Sequence, residues 1–499
     1  MNIKDTELSI QGDYESRLEH ARKLEVLGID PFPAKPFRAT HTSQELISQY
    51  SLLEGSQVSI AGRLQSKREH GKIIFGHVED RAGQIQIVMN QRILDGQFPI
   101  IKDLYDTGDF VGAKGELKAT NRGEISIWAE EMTMLTKALR GAPRKIADAE
   151  IMQRQRYLHT LVDPDARDRF RIRSKIVQSM RDYFIDSLGA LEVETPVLDT
   201  TYGGALAKPF ITNHNALDTE MYLRISNELY LKRMTVGGFS EGVFEFSRDF
   251  RNEGMDRTHN PEFTQVELYM PFWDYNNMMD MTEDLMSGIA RQLHGTTEVP
   301  YRMPMGDGKE KEVGIDYKTP WRRVSIYEGI REMLGIDPSN ISDSRLRTIA
   351  HQYEIDTYTR GDVLVELFEK VWEKDLIQPT FVMDYPADTS ALTKRHRTNP
   401  DLTERFEIFV AGMEVGNSYS ELNDPRDQRT RFETEKLKRE HGDKEAMPFD
   451  EDFILAMEYG MPQQAGIGIS IDRWTMLLTD TNHIRHVIYF PPVRPKQIS

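Results

Sequence analysis

The chain has 499 residues, with 80 Asp and Glu against 63 Lys and Arg, a formal net charge of −17, and no cysteine. That length exceeds one hydrophobic core and suits two or three domains. The missing cysteines exclude disulfides, thiolate zinc sites and a Cys nucleophile, so any metal is held by oxygen or imidazole, and carboxylates favour magnesium. No apolar run approaches the ~20 residues that cross a bilayer, and Met1 to Asp5 show no apolar signal segment, so a cytoplasmic protein with no membrane contact is expected.

In chain order, Asp13 to Leu27 reads as an amphipathic helix with Leu18, Ala21, Leu24 and Leu27 on one face, stopped by Gly28 and by Pro31 and Pro33. From Gln57 to Leu135 the period changes to two. Val58, Ile60 and Leu64, then Ile85 and Ile87, Val111 and Ala113, and Ile125 and Ile127 alternate with polar residues, and glycines at 71, 83, 108 and 123 punctuate the runs. Five short strands in this space predict a small antiparallel barrel of the OB type. Phe75, with Arg68 and Gln86 near it, is either a stacking platform for single-stranded nucleic acid or simply core.

Eleven Lys or Arg and five Asp or Glu lie between Lys137 and Lys175. This is either a solvated linker or a phosphate-binding stripe within an acidic chain. The expected layout is therefore an extension over 1–55, a barrel over 56–140, a linker over 141–165 and a large domain over 166–499. In the last, a helix over Arg169 to Leu188 precedes a strand, Leu191 to Leu198, interrupted by Pro196. The pattern is α+β, without a regular βαβ repeat or a Gly-rich phosphate loop. The stretch from Gly288 to Asp375 carries no legible chemistry.

Three stretches do. Phe244 to Gly254 and Thr258 to Tyr269 read as strand, loop and strand, dense in Arg, Glu and His. There Arg251 can grip a phosphate or carboxylate with two N–H groups, and Phe263 can stack on a base. Gly466 to Trp474 alternates glycine with apolar residues, so a flat ligand can approach, and Arg473 falls at a helix start. Arg405 to Asn423 places Glu407 and Glu414 on an apolar run, where either a divalent cation or a basic residue, Arg405 or another, must compensate them.

Together these stretches resemble motifs 2 and 3 and the metal strand of class II aminoacyl-tRNA synthetases. Phe-Arg-Asn-Glu-Gly at 250–254 with His-Asn-Pro-Glu-Phe at 259–263 is similar to subgroup IIb, which handles aspartate, asparagine and lysine. Glu194-Thr195-Pro196 resembles motif 1, which implies a homodimer, and the barrel matches that subgroup's anticodon-binding domain, which would place Arg68, Phe75 and Gln86 at the anticodon. The candidate lining is acidic, at Glu228, Glu267 and Glu421, which suits an ammonium and not a carboxylate substrate. The runs 224–233, 202–205 and 417–423 are similar to the lysine-specific members.

The resemblance implies ATP, L-lysine and tRNA(Lys) as partners and Mg2+ as cofactor. It would give Gly204 and Glu228 to the α-amino group, and Glu267, Tyr269 and Glu421 to the ε-ammonium. Arg251 would bridge the lysine carboxylate and the α-phosphate, with Asn417 beside it. Glu253, His259, Asn260, Phe263 and Arg473 would bind ATP, with Glu407 and Glu414 on magnesium, and Arg251 and Arg473 would serve as the catalytic cations. Ser470, Leu206 and Ala391 depart from the family pattern. The competing readings are an aspartate or asparagine enzyme, a ligase that puts lysine on a protein, and a non-catalytic RNA-binding scaffold.

Overall fold

The computed structural model describes residues 3–306, 308–357, 359–443 and 445–495. They form two compact units, 1–146 and 147–499. The first is a closed barrel of β1 (Gln57–His70), β2 (Ile73–Glu79), β3 (Gln84–Asn90), β4 (Phe110–Ala119) and β5 (Ile125–Thr136), in the order β1-β2-β3-β5-β4. The period-two residues fill it: Val58, Ile60, Leu64, Ile85, Ile87, Val111, Ala113 and Ile127 are all buried. Phe75 is not among them. It is half-buried on the outer face, opposite exposed Arg68, with its ring edge-on to His70 at 5.9 Å. Gln86 is buried and accepts a hydrogen bond from the Ser126 hydroxyl at 2.8 Å.

Helix α1 (Ile3–Val26) starts earlier than its apolar stripe suggested and belongs to the same unit as the barrel. Ala21 and Leu24 are buried, but Leu27 is 54% exposed and Arg17 takes the inward place, donating to the carbonyls of Thr107 and Ala138. Lys137, 2% exposed, ties the barrel's end together through Asp106 at 2.6 Å and Asp109 at 2.8 Å.

In the second unit the expected linker is largely helical, with helices over 149–154 and 156–162. Helix α2 (Pro164–Asp182) then begins at an Asp163 cap, five residues before the predicted start, and runs into one π turn. Its buried stripe is Ile176, Met180 and Phe184. Pro196 leaves only two-residue strands on either side, Leu191–Glu192 and Leu198–Asp199.

The centre of this unit is an eight-stranded sheet. In chain order its strands are β6 (Leu191–Glu192), β7 (Val243–Phe250), β8 (Glu262–Pro271), β9 (Arg322–Ser325), β10 (Thr380–Met383), β11 (Arg405–Val410), β12 (Met413–Ser420) and β13 (Gln464–Ser470). The spatial order is β9-β10-β11-β12-β13-β8-β7-β6, antiparallel within and parallel at both edges. Thus the chemically silent 288–375 stretch supplies an edge strand, β9. Three more helices flank the sheet: α3 (Glu228–Val236), α4 (Tyr275–His294) and α5 (Ile471–Leu478). Asp274 caps α4 with a reciprocal bond from Asn277, and Gly295, at φ +73, ends it. The face of α4 carrying Met278, Met279, Met281, Leu285, Met286 and Ile289 packs in one core with the strands. No helix among the described residues is long and apolar enough to cross a membrane.

Candidate active site

One face of β8, β11, β12 and β13, with the loop that follows β7, lines a cleft of about 430 Å³. Gly204, Glu228, Arg251, Glu253, His259, Asn260, Phe263, Glu267, Tyr269, Glu407, Glu414, Asn417 and Arg473 all reach it. Glycine makes the space. A Cβ on Gly466 would stand 2.3 Å from the Tyr269 ring and 2.4 Å from Glu421 Oε1. Gly204 has φ +86, and a Cβ there would meet Ser226 Oγ at 2.8 Å. Ser470 departs from glycine because it caps α5, its hydroxyl accepting from the Arg473 N–H at 3.2 Å.

The lining divides by its contacts into two groups. The first is acidic. Glu267 is 4% exposed and accepts from Ser226 Oγ at 2.9 Å, Gln265 Nε2 at 2.6 Å and Tyr269 Oη at 2.9 Å. Burial, with Asp249 and Glu228 nearby, pushes its carboxyl up to about 8. Glu228 is 3% exposed. One of its oxygens takes Lys232 Nζ at 2.5 Å and the other Tyr419 Oη at 2.6 Å. Glu421 lies behind Gly466, wholly buried. It is ion-paired to Lys232 through one oxygen, while Oε1 has no partner.

The second group is cationic and aromatic. The hairpin of β7 and β8 pairs Asp249 with Phe263 and leaves the intervening loop to present its side chains. Asp256 fixes that loop by accepting from the backbone N–H of Thr258 and of His259, both at 2.7 Å. It also accepts from His259 Nδ1 at 2.8 Å. Burial opposes its ionisation, but these donors hold it down at about 2. His259 Nε2 is left to accept from the Arg473 guanidinium at 3.0 Å. Arg251 lies over the Phe263 ring, 5.0 Å from its centre. Asn260 Oδ1 is buried without a partner, and Glu253 accepts weakly from the Lys208 N–H at 3.4 Å.

Glu407 and Glu414 sit on neighbouring strands. Arg405 donates to Glu407 at 2.6 Å, and Tyr385 Oη donates to its other oxygen at 2.7 Å. Arg473 faces Glu414 at 3.4 Å. The arginine pairing considered for these carboxylates therefore occurs. No cluster of three or more acidic or His ligands suited to a metal exists among the described residues. Two cleft-facing carboxylates do suit magnesium, which commonly keeps water and takes its remaining ligands from substrate phosphates.

Sequence reasoning missed Lys232, Tyr419, Gln265 and Ser226. Signals existed for two of them. Lys232 lies four residues after Glu228 on one helix, and Tyr419 alternates with Asn417 and Glu421 at period two.

The model for class II tRNA synthetases of the D, K and N group matches residues 148–494, and that for the OB-fold nucleic acid binding domain matches 58–135. The chain is 46% identical to a lysine–tRNA ligase of Porphyromonas gingivalis, over 97% of this chain and 86% of that protein. A lysine–tRNA ligase of Carboxydothermus hydrogenoformans is 44% identical over 96% and 97% of the two chains. One of Clostridium botulinum is 46% identical over 97% and 95%. The chain belongs to the class II tRNA synthetases of the aspartate, lysine and asparagine group, within their lysine–tRNA ligase family.

Proposed function

We propose that the cleft activates L-lysine with ATP and that the enzyme then transfers the lysyl group to the 3′ end of tRNA(Lys). The observation that carries the choice of amino acid is the acidic group. Glu228, Glu267 and Glu421 are all buried around one end of a cleft, and Glu421 keeps an unpartnered oxygen beside Gly466. A buried unsatisfied carboxylate oxygen is costly, and an ammonium ligand relieves that cost.

In this reading Gly204 and Glu228 take the α-ammonium, and Glu267, Tyr269 and Glu421 take the ε-ammonium. Arg251 and Asn417 orient the carboxylate. That carboxylate is already a nucleophile at neutral pH, so the reaction needs no general base. Its oxygen attacks the α-phosphorus, the bond to the bridging oxygen breaks, and pyrophosphate leaves with the electron pair. Catalysis is therefore positioning plus charge stabilisation. Arg251 meets the α-phosphate. The adenine stacks between Phe263 and Arg473, with Glu253, His259 and Asn260 beside it. Glu407 and Glu414 would hold magnesium, which supplies neutralisation of phosphate charge when bound.

The outer barrel face with Arg68 and Phe75, next to Gln86, supports anticodon binding. A homodimer is supported by exposed apolar residues around the motif 1 segment: Leu191, Val197, Leu198 and Ile211. A cytoplasmic location follows from the substrates. Charging of tRNA with labelled lysine, aspartate and asparagine tests the reading. Transfer of lysine alone supports it, and transfer of aspartate or asparagine refutes the acidic-pocket argument.

A further inference from the structure

The mechanism above uses three buried acids but leaves unused the one buried cation among them. Lys232 is 1% exposed, on α3 one turn after Glu228. Its ammonium touches Glu228 Oε1 at 2.5 Å and Glu421 Oε2 on the far side. It also lies 5.4 Å from the centre of the Tyr419 ring and 6.0 Å from that of Tyr269. Two strands, α3 and the loop after β12 thus converge on one nitrogen.

We infer that Lys232 is a positioning residue that sets amino-acid specificity: its ammonium is the pocket's internal counter-ion, holding Glu228 and Glu421 in place and cancelling one of the three acidic charges. This rests on the proposed lysine pocket. With all groups ionised, three carboxylates and one ammonium leave two negative charges. A lysine whose carboxylate is met by Arg251 brings two ammonium groups, so the charge count closes. Without Lys232 three carboxylates share the free pocket with no cation, so more of them hold protons between pH 7 and 8.5 than in wild type; lysine must displace those protons on binding, and its two ammonium groups still leave one carboxylate uncompensated. The groups facing Lys232 are Glu228 from α3, Tyr269 from β8, and Tyr419 and Glu421 from β12 and its following loop, with Glu267 bonded to the Tyr269 hydroxyl. Burial alone would discharge Lys232, but Glu228 and Glu421 outweigh it and hold its proton.

The test measures lysine-dependent exchange of pyrophosphate into ATP from pH 7 to 8.5 for wild type, Lys232→Met and Lys232→Gln. The glutamine variant keeps an N–H against Glu228 and carries the test where the apolar variant does not fold. The expected result is a lysine KM raised at least ~20-fold at pH 7, beyond the span of a surface ion pair. The KM for ATP stays within about threefold, and the lysine KM falls more steeply with pH than in wild type as the uncovered acid ionises. A lysine KM within threefold of wild type overturns the inference. So does a raised KM whose pH slope parallels wild type, because a merely structural role leaves that slope unchanged. Wild type lacking lysine-dependent exchange would instead remove the pocket reading itself.

Discussion

Lysine binding is predicted to expel a proton and to tighten as pH rises, through Glu267. Burial, reinforced by Asp249 and Glu228, holds this carboxyl at about 8 in the free protein. An ammonium ligand favours the ionised form, so the complex has the lower value, and affinity is lost as pH falls below the free-state value. A carboxyl of that acidity is ionised in roughly one molecule in eleven at pH 7 and about three in four at pH 8.5. The Kd for lysine therefore falls about eightfold over that range from this group alone. Buried Glu421 is shifted in the same direction and adds to the slope. Calorimetry in buffers of different ionisation enthalpy, with a non-hydrolysable ATP analogue present, gives both Kd and proton count. Glu267 alone releases close to one proton at pH 7. Glu267→Gln flattens the contribution of this group and weakens binding at pH 8.5 by about 10- to 150-fold, the span of a charge-assisted hydrogen bond of about 1.5–3 kcal/mol. A lysine Kd that does not change from pH 7 to 8.5, with no proton released, would refute the reasoning.

Four further outcomes are expected. Arg251→Ala cuts the activation rate by about 10²- to 10³-fold, as removal of a transition-state donor does, and weakens lysine binding far less, because Asn417 still meets the carboxylate; comparable losses in single-turnover rate and Kd would remove its transition-state role. Gly466→Ala, whose Cβ would stand 2.3 Å from the Tyr269 ring, raises the lysine KM about tenfold or more in exchange assays without changing that for ATP, through overpacking costing about 1–3 kcal/mol. Lys137→Met leaves Asp109 buried without its cation and costs the first unit about 3–5 kcal/mol in a urea titration, against less than ~1 for exposed Arg171→Met. Arg68→Ala and Phe75→Ala raise the KM for tRNA about tenfold in charging assays and leave pyrophosphate exchange intact, whereas equal losses in both assays would place these residues outside anticodon recognition.

The barrel and the cleft were legible to different depths, for physical reasons. The barrel announces itself because period two is set by the pleat, so Val58, Ile60 and Leu64 are buried as read. Phe75 misleads a core reading because its parity, opposite that of Ile74 and Val78, turns it to the outer face. The helix over 3–26 is longer than its apolar stripe. Its inward Arg17 is satisfied by backbone carbonyls that no pattern announces. The cleft acids were legible because a carboxylate within an apolar strand demands a partner. Which partner it has was not legible for Glu228 and Glu421. A Glu and a Lys four apart on a helix ordinarily read as a solvated pair, and it is Tyr419 and Glu421, distant in sequence, that close over this one. Ser470 looked like a defect in a glycine pattern, but its hydroxyl caps the helix that carries Arg473.

The central claim is that three carboxylates and one internal lysine define a site for a diammonium amino acid beside an ATP site. Exchange of labelled pyrophosphate into ATP, run with magnesium and each of the twenty amino acids in turn, tests it most directly. Exchange with lysine alone is expected. Exchange driven by aspartate or asparagine, or by no amino acid at all, would contradict it.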